Sequence, residues 1–320
     1  MDLAPIVLFV YNRPEHTKKM LEALALNKYA NESILYVYAD GPKENSSIEN
    51  NFRINQVREI VKEQKWPKQL ICKFAESNIG CRDNIIKGVT EVLDIHGKVI
   101  VLEDDIITSP AFLSYMNQAL ILYKDRKSVF SISGHSHSPS KFEVPKDYDY
   151  DVFASPRIFN WGWGTWRDRW EQTDWTMSYY QELLKHPYEI DAFQRMGSDM
   201  MIMLKDEYEG RSSAWDIQFT FSHFKNNALS IVPCVSYTHN IGLDGSGTHC
   251  NNIQVNSNYI INDKYEIKWL DNLYLDKRIM NLLYSAFLRK GRPLWKKMIN
   301  RLFRICGKKS PFLIKGKVYV

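Results

Sequence analysis

Three adjacent carboxylates, Glu103, Asp104 and Asp105, directly follow an apolar run of strand composition, residues 99–102. Such a run is typical of a buried strand in a parallel sheet. Because unpaired buried charge is costly, we expect the three acids where the strand leaves the sheet. Ligands bind at that edge of open α/β sheets. Hard carboxylate oxygens there favour Mg²⁺ or Mn²⁺ bound together with the phosphates of a substrate.

The three acids can have different roles if the strand stays extended. Glu103 and Asp105 would then share one side, and Asp104 would take the other. One acid would hold the metal while a neighbour orients a sugar or ribose hydroxyl, and the metal would neutralise a departing nucleotide diphosphate. The alternative is a solvated turn, but the apolar residues on both sides favour a site.

The elements that must position these acids alternate between strand and helix patterns. Strand patterns span 6–11, 33–39, 70–75, 99–102 and 129–133, and helix patterns span 14–26, 55–65, 81–93 and 110–123. This alternation predicts an α/β fold with a mostly parallel sheet flanked by helices. Further along, we expect a long loop at 135–156, a helix at 215–224, a strand at 229–237 and a glycine-rich flexible loop at 242–249.

The composition is that of an ordinary globular protein, with 44% apolar and 25% charged residues in a chain of 320. No apolar segment approaches the roughly 18 residues of a membrane span. Five scattered cysteines without zinc spacing favour a reduced, cytoplasmic protein. The chain also lacks the Walker A, Gly-x-Gly-x-x-Gly and Gly-x-Ser-x-Gly motifs.

The charge is distributed unevenly. Residues 277–320 contain thirteen Lys and Arg and no acid, whereas residues 1–276 carry a net charge of −8. Such a tail seeks an anionic surface, and we expect it to lie on the inner face of the membrane. An amphipathic basic helix is predicted there. Its apolar face includes Trp295, Met298 and Leu302, and its basic face includes Lys297, Arg301 and Arg304. The alternative is a helix packed on the acidic body.

The sequence Val-Leu-Glu-Asp-Asp-Ile at 101–106, followed by Ser-Pro-Ala-Phe-Leu-Ser-Tyr at 109–115, resembles the metal motif of GT-A glycosyltransferases. It is similar to the N-acetylglucosaminyltransferase I type and to bacterial surface-polysaccharide sugar transferases. The resemblance covers roughly residues 5–250. It implies a GT-A (Rossmann-like) fold and a nucleotide-sugar donor. It also implies Mn²⁺ or Mg²⁺ held by Asp105, with Glu103 and Asp104 contacting the donor.

Earlier matches to the same family imply further donor contacts. Arg13, in Tyr-Asn-Arg-Pro, takes the place of an arginine that contacts the nucleotide after the first strand. Asp40, in Ala-Asp-Gly, takes the place of an acid that contacts the base or ribose. Arg82 lies at the helix start that touches the base, where it replaces another residue type. Without the resemblance, Arg13 would be a surface residue at a helix start and Asp40 a turn former.

Later matches concern the acceptor and catalysis. The segment Trp-Gly-Trp-Gly-Thr-Trp at 161–166 resembles the family's Gly-Trp segment, which implies that Trp161 and Trp163 contact the acceptor. Trp215, in a matching Trp-Asp segment further along, is the third predicted acceptor contact. Aromatic faces pack well on sugars, although we expect at least half of these tryptophans to be core residues. Asp216 matches the catalytic base of inverting members, and apolar Trp215 beside it would raise its pKa. The alternative for Asp216 is a helix N-cap, with Asp174 and Asp199 as weaker substitutes for the base.

Histidines are the last candidates. The resemblance implies that His249, in the glycine-rich loop, contacts a donor phosphate or the metal, with His239 as its rival. His135 and His137 are close in sequence but have no zinc pattern, so a polar loop is favoured.

Together these patterns predict a nucleotide-sugar-binding half at 1–133, an acceptor-binding and catalytic half at 134–252, and a basic, membrane-associating helical extension at 253–320. The predicted activity is the metal-dependent, inverting transfer of a sugar from a UDP-sugar to a glycan or lipid-linked glycan, as part of bacterial surface-polysaccharide synthesis. Nucleic acid is not among the predicted partners. The alternatives are a nucleotidyltransferase, which would normally need a glycine-rich phosphate loop, and an inactive carbohydrate-binding module.

Overall fold

The computed structural model describes residues 2–139, 141–244 and 261–288, and these form ten strands and ten α-helices. The strands are β1 (Ile6–Val10), β2 (Ile34–Ala39), β3 (Gln69–Phe74), β4 (Lys98–Glu103), β5 (Ile106–Thr108), β6 (Val129–Ser133), β7 (Val152–Ser155), β8 (Trp163–Trp166), β9 (Leu229–Pro233) and β10 (Thr238–Asn240). The helices are α1 (Pro14–Ala25), α2 (Ile48–Lys62), α3 (Cys81–His96), α4 (Phe112–Leu122), α5 (Arg167–Trp170), α6 (Tyr180–Leu183), α7 (Pro187–Gln194), α8 (Met200–Tyr208), α9 (Trp215–Lys225) and α10 (Lys277–Ala286).

Eight strands form one sheet in the order β3-β2-β1-β4-β8-β6-β9-β7. The pairs among β3, β2, β1 and β4 are parallel, as is the pair β6–β9, whereas β8 and β7 run antiparallel to their neighbours. The predicted α/β fold with a mostly parallel sheet flanked by helices is therefore confirmed. The carboxyl ends of β1, β2 and β4 meet at one edge of this sheet.

Helices cover both faces of the sheet, and β1 shows why. Its five residues are all buried. Ile6, Leu8 and Val10 pack with α1, α2 and α4, whereas Val7 and Phe9 pack with α3 and α9 on the opposite face. Burial of one such side chain contributes roughly 1.5–3 kcal/mol. An apolar run with no polar face is thus the signature of this central strand.

Several predicted boundaries are wrong. β7 lies within the predicted loop 135–156, and the tryptophan-rich segment contains β8, whose four residues are all buried. β8 was missed because it shows no alternation of apolar and polar residues. The predicted strand 229–237 is too long, because β9 ends at Pro233, and the next strand, β10, begins only at Thr238 and pairs with β5 instead of joining the large sheet. α2 begins seven residues early, because Ser47 caps it by accepting a 3.1 Å hydrogen bond from the Asn50 N–H.

Two further apolar clusters complete the fold. α6, α7 and α8 form an apolar cluster with α9, and α10 buries Ile279 and Leu283 against Phe153 and Val232. Across the described ranges, no helix has both the length and the apolar character needed to cross a bilayer. His249 and residues 289–320 lie outside the described residues, so the predictions for the loop histidine and for the basic amphipathic helix stay predictions.

Candidate active site

The acidic triplet lies at the carboxyl end of β4, as expected. Glu103 ends the strand, and Asp104 and Asp105 form the turn that leads into β5. The predicted alternation of their side chains is wrong. Asp104 Oδ1 and Asp105 Oδ2 lie 3.4 and 2.9 Å from the same atom, Nη1 of Arg13. The two side chains converge because their backbone turns instead of staying extended.

Arg13 is brought to the acids by the parallel pairing of β1 and β4. Phe9 is in register with Glu103, so the residues that follow both strands emerge side by side. Arg13 occupies the N-cap position of α1, directly before Pro14. Its side chain is 14% exposed, and those of Asp104 and Asp105 are 10% and 14% exposed. Ion pairs shielded to this degree are stronger than ordinary surface pairs.

The site holds more negative charge than Arg13 balances. Burial raises the pKa of Glu103, as do the charges of Asp105, Asp104 and Asp216. Burial and the charge of Asp105 likewise raise the pKa of Asp104, against the opposing effect of Arg13. Carboxylates that repel one another in this way are stabilised by an added cation.

A divalent cation fits this site only if the substrate supplies most of its ligands. Within the described part of the chain, no group of three or more His, Cys, Asp and Glu side chains is arranged to hold a metal ion. The converging pair Asp104 and Asp105 can instead provide one or two carboxylate oxygens. Phosphates and water would complete the coordination, as is usual for Mg²⁺.

Asp216 lies in the first turn of α9, beside buried Trp215. The helix N-cap is Ala214, so the N-cap alternative for Asp216 is wrong. Its carboxylate accepts a 3.0 Å hydrogen bond from the Ile217 N–H, and Asn160 Nδ2 lies 3.5 Å away. Burial raises its pKa against the opposing charge of Arg157. A carboxylate with few partners and a raised pKa has the properties of a general base.

The two substitutes for Asp216 are occupied elsewhere. Asp174 accepts four hydrogen bonds from the backbone and hydroxyl groups of Thr176 and Ser178. Asp199 forms a bidentate ion pair with Arg157, both contacts being 2.9 Å. These contacts order local structure and leave little capacity for a proton from a substrate.

Asp40 organises the loop before α3. Its carboxylate accepts hydrogen bonds of 2.8–3.0 Å from the N–H groups of Gly41, Ile79 and Gly80 and from the Asn78 side chain. A carboxylate has about four acceptor positions, and protein donors take all four. Asp40 thereby fixes the loop that carries the predicted nucleotide-contacting helix start, while its own contact with the donor stays a prediction.

Arg82 is held by groups on α3, α8 and α9. Its guanidinium donates to Gln218 Oε1 at 3.0 Å and to the Trp175 carbonyl at 2.9 Å. It also forms ion pairs with Glu207 at 3.1 Å and with Asp83. These partners line a different part of the site from the acids of β4, and the predicted nucleotide contact of Arg82 stays a prediction.

Of the three predicted acceptor tryptophans, two lie in the core. Trp163 and Trp215 are 3% and 4% exposed, and their rings stack on each other with centroids 4.7 Å apart. Trp161 is half-buried, with its ring 4.3 Å from that of His135. Only Trp161 therefore has a ring that can meet a ligand without rearrangement of the core.

Gly242 lies against the ion pair of Arg13 and Asp105. The hydrogen bonding between β5 and β10 extends beyond the last paired residues of the two strands, because the Ile241 N–H donates to the Asp105 carbonyl at 2.9 Å. The Gly242 N–H donates to Asn240 Oδ1 at 2.6 Å. A Cβ atom at Gly242 would overlap Asp105 Oδ2 and lie 2.6 Å from Arg13 Nη2. Any larger residue here would therefore have to displace the Asp105 carboxylate or the Arg13 guanidinium.

Replacement of Gly242 by alanine is expected to weaken Mn²⁺-dependent UDP binding by about 10-fold or more, since overpacking of this kind typically costs 1–3 kcal/mol. The methyl group would displace Asp105, Arg13 or both. Isothermal titration calorimetry measures the change, with Leu243→Ala as the neighbouring control. Wild-type UDP affinity in Gly242→Ala would contradict the positioning role.

The histidines differ in their surroundings. His239 lies in β10 opposite Ile107, and burial lowers its pKa. His135 is buried beside Ser236 at 3.1 Å, and burial lowers its pKa to about 3. His135 is therefore a buried, neutral histidine in the loop that follows β6.

Some residues at the site were not identified from the sequence. Arg157, Glu207 and Gln218 are scattered along the chain and belong to no motif. Asn160 and Gly242 do lie in segments singled out by their tryptophans and glycines, but only the folded backbone shows that they adjoin Asp216 and Asp105.

The chain matches no family model and no curated protein. Three solved structures show a limited likeness. S. aureus TarS 1–349 has 14% identity and a TM-score of 0.38 over 73% of this chain and 59% of its own. S. aureus TarS has 15% identity and a TM-score of 0.36 over 75% of this chain and 37% of its own. A protein from Desulfovibrio desulfuricans G20, assigned as a nucleotide-diphospho-sugar transferase, has 11% identity and a TM-score of 0.28 over 52% of this chain and 64% of its own. The chain thus spans less than two thirds of the length of each.

Proposed function

We propose that this protein is a metal-dependent glycosyltransferase that moves a sugar from a nucleotide-sugar, of the UDP class, to a glycan acceptor with inversion. The observation that carries the proposal is the arrangement of four carboxylates at one edge of the sheet. Asp104 and Asp105 converge on Arg13 directly after β4. Glu103 ends that strand, and burial together with the charges of Asp105, Asp104 and Asp216 raises its pKa. This arrangement provides a place for a cation and a diphosphate beside a separate base.

In the proposed reaction, Arg13 binds the donor phosphates, and Asp105 with Asp104 would hold Mn²⁺ or Mg²⁺. The metal would supply neutralisation of the charge on the leaving diphosphate. Asp216 accepts the proton of the acceptor hydroxyl as that oxygen attacks the anomeric carbon. The new carbon–oxygen bond forms while the bond to the phosphate oxygen breaks, and the nucleoside diphosphate leaves with the electron pair. Attack opposite the leaving group inverts the anomeric centre.

The experiment is a screen of nucleotide-sugars with Mn²⁺, in which release of the nucleoside diphosphate is measured with and without glycan acceptors. A glycosyltransferase releases UDP from a UDP-sugar, whereas a nucleotidyltransferase releases pyrophosphate from UTP and a sugar phosphate. An inactive carbohydrate-binding module releases neither. Thermal stabilisation by UDP only in the presence of Mn²⁺ would further support the proposal, since a ligand that binds the native state alone raises its stability.

The proposal includes a cytoplasmic site of action on the inner face of a bacterial membrane, with a lipid-linked glycan of surface-polysaccharide synthesis as acceptor. Its support is the basic tail, residues 277–320, together with apolar side chains that are exposed in and directly after α10. Leu282 is 39% exposed and Leu288 is 49% exposed.

Removal of residues 289–320 is expected to abolish salt-sensitive binding to anionic vesicles. The full chain has thirteen basic residues after Asp276, and a chain ending at Leu288 keeps two of them. Each charge near the surface contributes up to about 1 kcal/mol, and salt screens this attraction. Vesicle co-sedimentation at low and high salt measures the difference. If the full chain ignores anionic vesicles at low salt, the membrane proposal fails, whereas the catalytic proposal stands.

A further inference from the structure

An open, mostly polar pocket of about 350 Å³ lies beside the candidate active site. It is formed where the start of α3 meets α8, α9 and the segment that follows α5. Its lining includes Arg82, Trp175, Glu207, Tyr208, Ser213 and Gln218. A volume of this size matches the smaller ligand pockets of proteins and can hold one or two sugar rings.

Buried polar groups fix the floor of this pocket. The Glu207 side chain is 5% exposed, accepts hydrogen bonds from Ser212 and from the Ala214 N–H, and pairs with Arg82 at 3.1 Å. Gln218, also buried, accepts from Arg82 and donates to the Trp175 carbonyl at 3.2 Å. The guanidinium of Arg82 is thus held in one orientation at the bottom of an open cavity, which is the mark of a preorganised binding site.

The chemistry of the lining favours a neutral, polyhydroxylated ligand. Arg82 is the one cation among the lining residues, and it is paired with both Glu207 and Asp83. No positive charge is left over for a phosphate. Trp175 is half-buried and Tyr208 is 40% exposed, so aromatic surface is available to the apolar face of a sugar ring.

The pocket is joined to the proposed base by α9. Gln218 follows Asp216 by two residues, which is about 3 Å along the helix axis, although side chains two residues apart point to different sides of a helix. Ser213, on the rim, precedes Asp216 by three residues. Gln218 therefore shares one rigid element with the carboxylate that must meet the acceptor hydroxyl, and Ser213 lies just before that element.

We propose that this pocket binds a neutral sugar unit of the acceptor, with Arg82, Glu207 and Gln218 as its polar floor. This inference rests on the proposed function, because the acceptor is defined by the transfer reaction. The sugar of the donor is the other source of the same chemistry. The geometry favours the acceptor, since α9 carries both Asp216 and a lining residue of the pocket, whereas neither Arg13 nor Asp105 lines it.

In the test, the substitution Ser213→Phe places a large side chain in the pocket, because Ser213 is an exposed residue of its lining. The matched control is Ser128→Phe, at another exposed serine outside the pocket. Saturation-transfer NMR measures binding of three probes, the methyl glycosides of glucose, galactose and N-acetylglucosamine. Each is measured with and without saturating UDP-sugar and Mn²⁺, whose binding is checked by thermal shift. Melting temperatures confirm that both variants fold.

We expect the wild type and Ser128→Phe to bind at least one glycoside in the presence of the UDP-sugar, and Ser213→Phe to bind it at least 10-fold more weakly. Displacement of the glycoside by the UDP-sugar would assign the pocket to the donor and overturn the proposal. Binding of no probe by the wild type, or equal binding by Ser213→Phe, would also overturn it. Failure of the catalytic proposal has a different signature, namely no UDP release from any UDP-sugar by the wild type.

Discussion

Asp216→Asn is expected to lower the rate of glycosyl transfer by about 10²-fold or more while Mn²⁺-dependent UDP binding stays close to wild type. Asparagine keeps the size and the 3.0 Å hydrogen bond from the Ile217 N–H but cannot take a proton from the acceptor. The loss should appear in kcat and not in the affinity for the donor. Steady-state kinetics with the donor and acceptor found in the screen measure it.

Asp125→Asn is the matched control, since Asp125 is exposed in the turn after α4, away from the site. It should transfer at the wild-type rate. Near-normal turnover in Asp216→Asn would move the role of base to another acid such as Asp174. That outcome would conflict with the four hydrogen bonds that already occupy the Asp174 carboxylate.

Asp105→Ala is expected to weaken Mn²⁺-dependent UDP binding by at least about 100-fold, which corresponds to about 2.8 kcal/mol. The change removes the proposed metal ligand and the 2.9 Å partner of Arg13. It also removes one charge from a group of acids that repel one another, so the melting temperature without metal should fall little. Calorimetric titration of UDP with and without Mn²⁺ provides the measurement.

Asp125→Ala is the control for the loss of a carboxylate, and it should bind UDP as the wild type does. An unchanged Mn²⁺ dependence in Asp105→Ala would remove Asp105 from the metal site. Loss of binding in that variant together with a large fall in melting temperature would point to a structural role for the ion pair with Arg13.

The central strands could be predicted from the sequence because burial on both faces leaves an apolar run at β1, β2 and β4. The position of the acidic triplet followed from the same physics, since charges cannot remain inside such a strand. β8 could not be predicted in this way. It is a strand of tryptophan, glycine and threonine, and its partners Val99–Val101 in β4 lie more than 60 residues away in sequence.

Residues of the candidate site could be predicted from the sequence only where the type of residue by itself indicates its chemical role. The acids were identified from their position at the end of a strand and Arg13 from the family resemblance, and the structure brings them together. The convergence of Asp104 and Asp105 depends on a turn whose direction is set by the β5–β10 pairing, a contact between residues 130 apart. The environment of Arg82 depends on Glu207 and Gln218, which no local pattern connects to it.

The contacts of Arg13 with both aspartates affect how a substrate and a cation would enter the site. The guanidinium competes with a cation for the same carboxylate oxygens, so the site in its ligand-free state is already partly neutralised. Arg13 can leave these oxygens at low cost only when another anion takes their place, and a diphosphate provides one. Nucleotide and metal are therefore expected to bind cooperatively, and because such coupling is reciprocal, each raises the affinity of the other by the same factor.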